Sequence, residues 1–117
     1  MAVQDLDDLR ARLREFAAAR DWDRYHSPKN LSMALIAEAA ELVEHFQWLS
    51  EAESAALSPE KRAAVEEELA DILLYLVRLA DKLDVNLAEA ARRKIARNAE
   101  RYPADKVRGS AKKYTEY

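Results

Sequence analysis

The sequence predicts an all-α protein, and three observations support that fold class. Half of the 117 residues are hydrophobic and 35% are charged, so the composition is rich in residues that favour helices. Residues that interrupt helices are rare, with one Gly and three Pro in the whole chain. Apolar residues recur at intervals of three and four, the spacing of one helix face. The length indicates a single domain, residues 1–117, that can bury a core of its own.

Composition also narrows the classes of function. The chain has no cysteine, which excludes disulfides and thiolate metal sites. No uncharged apolar run approaches the roughly 18 residues of a membrane span, and the acidic N-terminus does not resemble a signal peptide, so we expect a cytoplasmic protein without a membrane partner. Residues 1–85 carry a net charge of −8 and residues 86–117 a net charge of +5. The acidic part would repel a phosphate backbone, which disfavours a nucleic-acid polymer as partner.

The first predicted helix runs from about Gln4 to Asp21, where apolar residues follow helical spacing. The next segment, DWDRYHSPKN (21–30), breaks this pattern, and Pro28 should exclude a regular helix there. Three ring side chains are concentrated in it: Trp22, Tyr25 and His26. They either pack onto the core or form a wall on which a planar ligand stacks.

The second predicted helix runs from about Leu31 to Ser50, with Asn30 as its N-cap, and is apolar on nearly every side. Such a helix is enclosed by other elements of the chain or by a partner subunit. A polar connection, residues 51–57, should follow it. Ser58 and Pro59 then supply an N-cap and a first helical residue for the third helix, which reaches about Leu83.

The fourth predicted helix begins after Asn86, which forms a sequence resembling a capping box with Glu89, and it ends near Arg101, before Pro103. From about residue 103 to residue 117 the sequence predicts an extended basic tail. The four helices should form a bundle in which the second and third are antiparallel. Because the third helix is too apolar for one small bundle to cover, we expect an oligomer.

Two acidic pairs lie inside the apolar helices, Glu38 with Glu41 and Glu68 with Asp71. Positions three apart share a helix face, so each pair places two mutually repelling carboxylates side by side. A hard divalent cation would offset this repulsion, and oxygen ligands suit magnesium, manganese or calcium. The alternative is a solvated acidic helix surface.

Other metal sites fit the sequence less well. An EF-hand needs a Gly-containing acidic loop, and a di-iron bundle needs Glu-x-x-His on two helices, and neither pattern is present. Zinc is disfavoured because the chain has two histidines and no cysteine. His45, four residues after Glu41, is a weaker alternative ligand. The carboxylates therefore favour Mg²⁺, with Mn²⁺ as the alternative.

The order of motifs resembles the MazG-like all-α NTP pyrophosphohydrolase superfamily, whose mark is ExxE followed by ExxD. Within it the chain looks most similar to the dCTP pyrophosphatase branch. The resemblance extends from about Phe16 to Glu116. It is carried by FAAARDWDRYH (16–26), PKN (28–30), ELVEHFQW (41–48), EELADILLYLVRLA (67–80), KIARNAERYP (94–103) and KKYTE (112–116).

The resemblance implies roles for individual residues. It implies that Mg²⁺ is bound by four carboxylates: Glu38, Glu41, Glu68 and Asp71. It implies that four side chains line a nucleotide pocket: Trp22, His26, Trp48 and Tyr75. Further residues on matching segments would contact phosphate or ribose or hold the pocket together: Asn30, Lys94, Asn98 and Arg101. Two tail residues, Lys112 and Tyr114, would close over the ligand.

The implied reaction is the hydrolysis of a nucleoside triphosphate to the monophosphate and pyrophosphate, by attack of water on the α-phosphate. Mg²⁺ would neutralise and orient the phosphates, and Glu38 or Glu41 would accept the proton as general base. The resemblance implies a tetramer, a dimer of dimers, and favours dCTP or a modified dCTP as the substrate. The alternatives are a house-cleaning dNTP pyrophosphatase of broad specificity and a non-catalytic helical interaction module.

Overall fold

The structure, a computed structural model, describes residues 5–109. The helices are α1 (Leu6–Ala19), α2 (Pro28–Glu44), α3 (Glu51–Ser54), α4 (Pro59–Lys82), α5 (Leu87–Arg101) and α6 (Ala104–Val107), and a 3₁₀ turn (Asp23–Tyr25) joins α1 to α2. No residue from 5 to 109 lies in a β-strand, so the all-α prediction is confirmed. Within the same range, no helix has both the length and the hydropathy that a membrane span needs. The cytoplasmic location stays a prediction.

Short polar side chains cap the long helices. The Ser58 side chain accepts a hydrogen bond from the backbone N–H of Lys61 at 3.2 Å, and Pro59 is the first residue of α4. The Asn86 side chain accepts from the N–H of Glu89 at 3.0 Å and so begins α5. These bonds satisfy N–H groups that have no partner inside the first turn. The predicted starts of both helices are confirmed.

The predicted start of α2 is wrong. The N-cap is Ser27, whose side chain accepts from the N–H of Asn30, and Pro28 is the first helical residue. Proline is tolerated there because the N–H that it lacks would have no intrahelical partner. Asn30 is therefore a residue of the first turn, not the cap. The helix also ends earlier than predicted, at Glu44.

Two short helices lie where the sequence predicts irregular chain. In the predicted connection 51–57, Ser50 and Glu53 form a reciprocal capping box that begins α3. In the predicted extended tail, α6 forms a single helical turn after Pro103. A single turn has few hydrogen bonds and no clear hydrophobic period, so a periodicity argument does not detect it.

Helices α2 and α4 pack against each other in antiparallel orientation. His26, just before α2, meets Arg78 near the end of α4, and His45 at the end of α2 meets Lys61 near the start of α4. The most buried apolar side chains come from α1, α2 and α4: Ala17, Leu31, Val65, Val77 and Ala80. This packing places the midpoints of α2 and α4 side by side, and both acidic pairs lie near those midpoints.

The chain forms two compact units, Met1–Val85 and Asn86–Tyr117. Helices α1 to α4 belong to the first unit, and α5 and α6 belong to the second. The single domain, the four-helix bundle and the oligomer stay predictions.

Candidate metal centre and adjoining aromatic cavity

The antiparallel packing brings carboxylates from two helices together. Glu38 and Glu41 project from α2, and Glu68 projects from α4. One oxygen atom of each of these three residues lies within 4.8 Å of the others. That spacing allows a single cation to contact all three carboxylates, because oxygen ligands lie 2.0–2.6 Å from Mg²⁺ or Ca²⁺.

Two oxygen atoms of this cluster are buried without a hydrogen-bond partner among the described residues: Oε2 of Glu38 and Oε2 of Glu68. Buried polar atoms in folded proteins nearly always have a partner, so an unpartnered pair of carboxylate oxygens requires an explanation. A bound divalent cation would satisfy both atoms at once.

Burial and the closeness of the carboxylates also raise the pKa values of two residues of the cluster, Glu38 and Glu68. The pKa of Glu38 is raised to about 7, first by burial and then by hydrogen bonding with Glu41 and by charge repulsion from it. Burial and Glu41 also raise the pKa of Glu68. Each carboxylate therefore favours either a proton or a nearby positive charge. The all-oxygen ligand set fits magnesium, manganese or calcium better than zinc.

Asp71 lies beside the cluster. Its charge contributes to the raised pKa of both Glu38 and Glu68. Its ligand atoms are not within the 4.8 Å group formed by the three glutamates. Asp71 instead lines the adjoining cavity, so it stands between the carboxylates and that cavity. Its role as a metal ligand stays a prediction.

His45, directly after the last residue of α2, lies beside the cluster. Its Nε2 lies 3.8 Å from Oε1 of Glu68, and its Nδ1 lies 3.3 Å from the ammonium nitrogen of Lys61. Lysine donates hydrogen bonds and cannot accept them, so Nδ1 accepts and Nε2 carries the hydrogen. His45 is therefore a donor directed towards Glu68, which differs from the weaker ligand role considered in the sequence.

A cavity of about 150 Å³ adjoins the cluster. Three of the predicted pocket residues line it: Trp22, His26 and Tyr75. The other lining residues are Leu13, Phe16, Ala17, Asp71, Leu74 and Arg78. The lining thus combines apolar and aromatic surface with a few polar groups, as is typical of small-molecule sites.

The end of α1 directs Trp22 into this cavity. Asp21 adopts a left-handed backbone conformation, with φ of 54°, and the N–H of Trp22 bonds back to the carbonyl of Ala17 at 2.9 Å. This Schellman-type turn folds the chain back over α1. The ring of Trp22 then meets Phe16 edge-on at 5.7 Å and His26 at 6.5 Å.

Asn30 stabilises the 3₁₀ turn that follows Trp22. Its side-chain amide donates to the backbone carbonyl of Tyr25 at 3.0 Å and so ties the 3₁₀ turn to the first turn of α2. This contact supports the part of the prediction in which Asn30 holds the pocket together. Direct contact with a ligand stays a prediction.

Arg78 lies under the aromatic turn and is missing from the residues proposed from sequence. It is 5% exposed, and its Nε donates to Nδ1 of His26 at 3.1 Å. Its two terminal nitrogens pair with Asp23 of the 3₁₀ turn and with Asp81 of α4. Arg14 of α1 makes a second, bidentate pair with Asp81 at 2.5 and 2.7 Å. A charged residue inside the apolar run LLYLVRLA (73–80) is the one sequence signal for this network.

One face of α4 contributes to both the carboxylate cluster and the cavity. The spacing from Glu68 to Asp71, Tyr75 and Arg78 is three, four and three residues, which keeps all four side chains on one helix face. The face therefore presents carboxylate, aromatic ring and guanidinium in sequence along its length. A ligand with a charged end and a planar end would match this order.

The remaining predicted residues lie elsewhere. Trp48 follows α2, is 87% exposed and is not among the described residues that line the cavity. Lys94, Asn98 and Arg101 share one face of α5, in the second unit, and their contact with a ligand stays a prediction. Lys112 and Tyr114 lie outside the described residues.

Comparison with known proteins gives a consistent set of similarities. The profile of the MazG-like family matches residues 34–117. The chain is 50% identical over 113 residues to dCTP pyrophosphatase 1 of Rattus norvegicus and 48% identical over 113 residues to that of Homo sapiens. Each match covers 95% of this chain and 66% of the relative, so the chain spans slightly less than two thirds of the length of these relatives.

The fold is similar to that of a solved structure. A crystal structure of a pyrophosphatase from Archaeoglobus fulgidus matches with a TM-score of 0.80 and 40% sequence identity. The match covers 88% of this chain and 96% of the archaeal chain.

Proposed function

The chain belongs to the MazG-like family, and on that premise we propose that it is a Mg²⁺-dependent nucleoside triphosphate pyrophosphohydrolase. The leading substrate is dCTP or a modified dCTP, as the names of the rat and human relatives suggest. The products are the nucleoside monophosphate and pyrophosphate. The observation that carries the proposal is the carboxylate cluster between α2 and α4 beside an aromatic cavity, with one face of α4 contributing residues to both.

Acidic residues would hold the metal ion, and the metal ion would in turn bind the reacting phosphates. Glu38, Glu41 and Glu68 would bind the cation, and Asp71 would complete the ligand set on the cavity side. When bound there, Mg²⁺ would supply positive charge that neutralises the phosphate oxygens and orients them for displacement. Mn²⁺ could replace it, since both ions prefer oxygen ligands.

The aromatic residues hold the nucleoside. Trp22 and Tyr75 offer ring faces for stacking on a base, and base–aromatic stacking contributes about 1–3 kcal/mol per base. Stacking alone tolerates any base, so the polar groups of the lining must provide selectivity.

Proton transfer is assigned to a carboxylate of the cluster. Glu38 and Glu41 are the two candidates for the general base that takes a proton from the attacking water. The chain has no cysteine, and we propose direct attack of water on the α-phosphate, without a covalent intermediate.

We propose an oligomer, following the sequence expectation of a dimer of dimers. Large apolar side chains on α2 and α4 are exposed in the isolated chain: Met33, Ile36, Val43, Leu69, Leu73 and Leu76. Ile36 is 68% exposed, and clustered apolar exposure of this kind is typical of a subunit interface. Light scattering of the purified chain tests the assembly, and a monomer at micromolar concentration would contradict it.

A substrate panel tests the activity. Purified protein is incubated with each common dNTP and NTP and with 5-methyl-dCTP, with and without Mg²⁺, and the products are resolved. Magnesium-dependent monophosphate and pyrophosphate from dCTP and its analogue support the proposal. Turnover of many bases would favour the house-cleaning activity, and no turnover of any nucleotide would leave a non-catalytic helical module.

A matched pair of variants tests the site. Glu38→Gln removes one charge from the cluster, whereas Glu44→Gln removes one charge from the exposed end of the same helix. We expect Glu38→Gln to lower kcat at least 100-fold, because it removes a general base or a metal ligand. We expect Glu44→Gln to change kcat less than threefold. Equal activity of the two variants would contradict the assigned cluster.

A further inference from the structure

The turn that carries Trp22 and His26 is held by a buried guanidinium. Arg78 projects from α4 and reaches the 3₁₀ turn through Asp23 and the start of α2 through His26. Lys82, one turn further along α4, donates to the same Asp23 oxygen at 3.0 Å. Two cationic side chains of α4 therefore hold the acidic residue of the turn.

Asp81 keeps the guanidinium in place. Its carboxylate is 5% exposed and accepts hydrogen bonds from Arg78 and from Arg14 of α1. The pairing with Arg14 lowers the pKa of Asp81, so its negative charge persists at neutral pH. Because Arg78 has partners on several sides, its planar group is fixed in one orientation.

This orientation determines which nitrogen of His26 carries hydrogen. Arginine stays protonated and only donates, so the 3.1 Å bond from Arg78 Nε requires His26 Nδ1 to accept. In the neutral ring, Nε2 must then carry the hydrogen. Burial and the charge of Arg78 lower the pKa of His26, which favours that neutral ring. Nε2 has no hydrogen-bond partner among the described residues.

We propose that Arg78 is a positioning residue that holds His26 as the Nε2–H tautomer, so that the cavity presents a fixed hydrogen-bond donor to an acceptor atom of the nucleoside. The inference deepens the proposed function and rests on it for the identity of the ligand. A carbonyl oxygen or an unprotonated ring nitrogen, such as O2 or N3 of cytosine, accepts from this donor. An amino group in that position would be rejected, because two donors would face each other.

Nuclear magnetic resonance of the imidazole nitrogens tests the tautomer without a ligand. The chain has two histidines, His26 and His45, so a His45→Gln variant assigns the ¹⁵N signals. We expect wild-type His26 to show an unprotonated Nδ1 and a protonated Nε2 at pH 7. A protonated Nδ1 in the wild type would overturn the proposal without the need for any variant of the network.

Two substitutions separate the effect of Arg78 on the His26 tautomer from the effect of Lys82. Arg78→Lys keeps the positive charge but loses the fork that reaches His26 and both carboxylates, and we expect a mixture of His26 tautomers. Lys82→Met, the matched control, removes another partner of Asp23 but leaves the bond to His26. We expect that control to keep the Nε2–H form. A single Nε2–H tautomer in folded Arg78→Lys would contradict the role of Arg78.

Two replacements of His26 test the donor itself. Asn can place its oxygen near the former Nδ1 and so keep the bond from Arg78, but it has no group at the position of Nε2. Gln can place its amide nitrogen near the former Nε2. We expect His26→Asn to raise KM for dCTP about 10-fold and His26→Gln to raise it less, with kcat changed less than KM in both.

The outcomes distinguish this inference from the proposed function. Equal KM values for wild type and His26→Asn would overturn the donor role even if turnover is normal. If wild type has no turnover with any nucleotide but shows the Nε2–H tautomer, the activity assignment fails and the positioning of His26 by Arg78 stands.

Discussion

Glu38 on α2 and Glu68 on α4 place carboxylate oxygens within 4.8 Å of each other, and each has a second, buried oxygen without a partner among the described residues. Two residues 30 positions apart in the chain thus form a site in which negative charges repel each other. Because this arrangement is unfavourable without a cation, removing one carboxylate charge by substitution should raise the stability of the metal-free protein and lower its activity.

We predict that Glu38→Gln raises the melting temperature of the metal-free protein by several degrees, because it removes repulsion with Glu41 and Glu68. The same variant should lose most of the stabilisation that millimolar Mg²⁺ gives to the wild type. Thermal unfolding by circular dichroism, with EDTA and with Mg²⁺, measures both effects. Glu44→Gln serves as the control, and an identical response of the two variants to Mg²⁺ would contradict the metal centre.

The pKa of Glu38 predicts how stability depends on pH. Its pKa is about 7 in the folded protein and about 4.5 in the unfolded chain, so the folded state binds the proton more tightly. Glu38 therefore contributes its full stabilisation below about pH 4.5, and this contribution is lost as the pH rises towards about 7. Above that range its contribution no longer changes.

Urea unfolding from pH 4.5 to 8 measures this effect. The free energy of unfolding of metal-free wild type, minus that of Glu38→Gln, should decrease with rising pH over the window. The subtraction removes contributions from other groups, including Asp23 and Asp81, whose pKa values are lowered by their ion pairs. A difference that is independent of pH would show that the Glu38 carboxylate is not destabilised by its surroundings.

The sequence predicts local features of this chain better than distant ones. Helical spacing predicts that Glu38 and Glu41 share one face, because their separation is fixed by a single helix. The distance between Glu38 and Glu68 depends on how α2 and α4 align, which periodicity does not determine. Periodicity does not identify Arg78 for the same reason, since two of its partners, Asp23 and His26, lie 55 and 52 positions away in the chain.

The sequence contains a signal for the true start of α2. Ser27-Pro28 is the same residue pair as Ser58-Pro59, and each pair supplies the N-cap and the first residue of a helix. The expectation that Pro28 breaks the helix is wrong, because proline is excluded from the interior of a helix and not from its first turn. Proline after a capping residue indicates a helix start in both places.

Trp22 should determine the affinity for the nucleoside. Removing the ring in Trp22→Ala should raise KM for dCTP about 10- to 100-fold, the range expected for one lost base–aromatic contact, while kcat changes less. Tyr25→Ala is the control, because Tyr25 belongs to the same 3₁₀ turn but is 57% exposed and is not part of the described cavity lining. Similar KM values for the two variants would contradict stacking on Trp22.

Fluorescence gives an independent measure of the same contact. The chain has two tryptophans, so Trp48→Phe leaves Trp22 as the single reporter. A non-hydrolysable dCTP analogue should change the emission of Trp22 in a saturable manner, because a base stacked on the indole alters its surroundings. An unchanged spectrum at saturating analogue would place the base away from Trp22.

Asp84 provides a test of backbone strain away from the site. It follows α4 in a left-handed conformation, with φ of 56°, and the N–H of the next residue, Val85, bonds to the carbonyl of Ala80 at 2.8 Å. Glycine adopts this conformation without the steric cost of a Cβ atom. We therefore expect Asp84→Gly to raise the free energy of unfolding by about 0.5–1 kcal/mol and the melting temperature by about 2–6 °C. Asp84→Ala removes the same carboxylate but keeps a Cβ atom, so the difference between the two variants isolates the backbone effect. If Ala stabilises the protein as much as Gly, the carboxylate and not the left-handed backbone is the source of the strain.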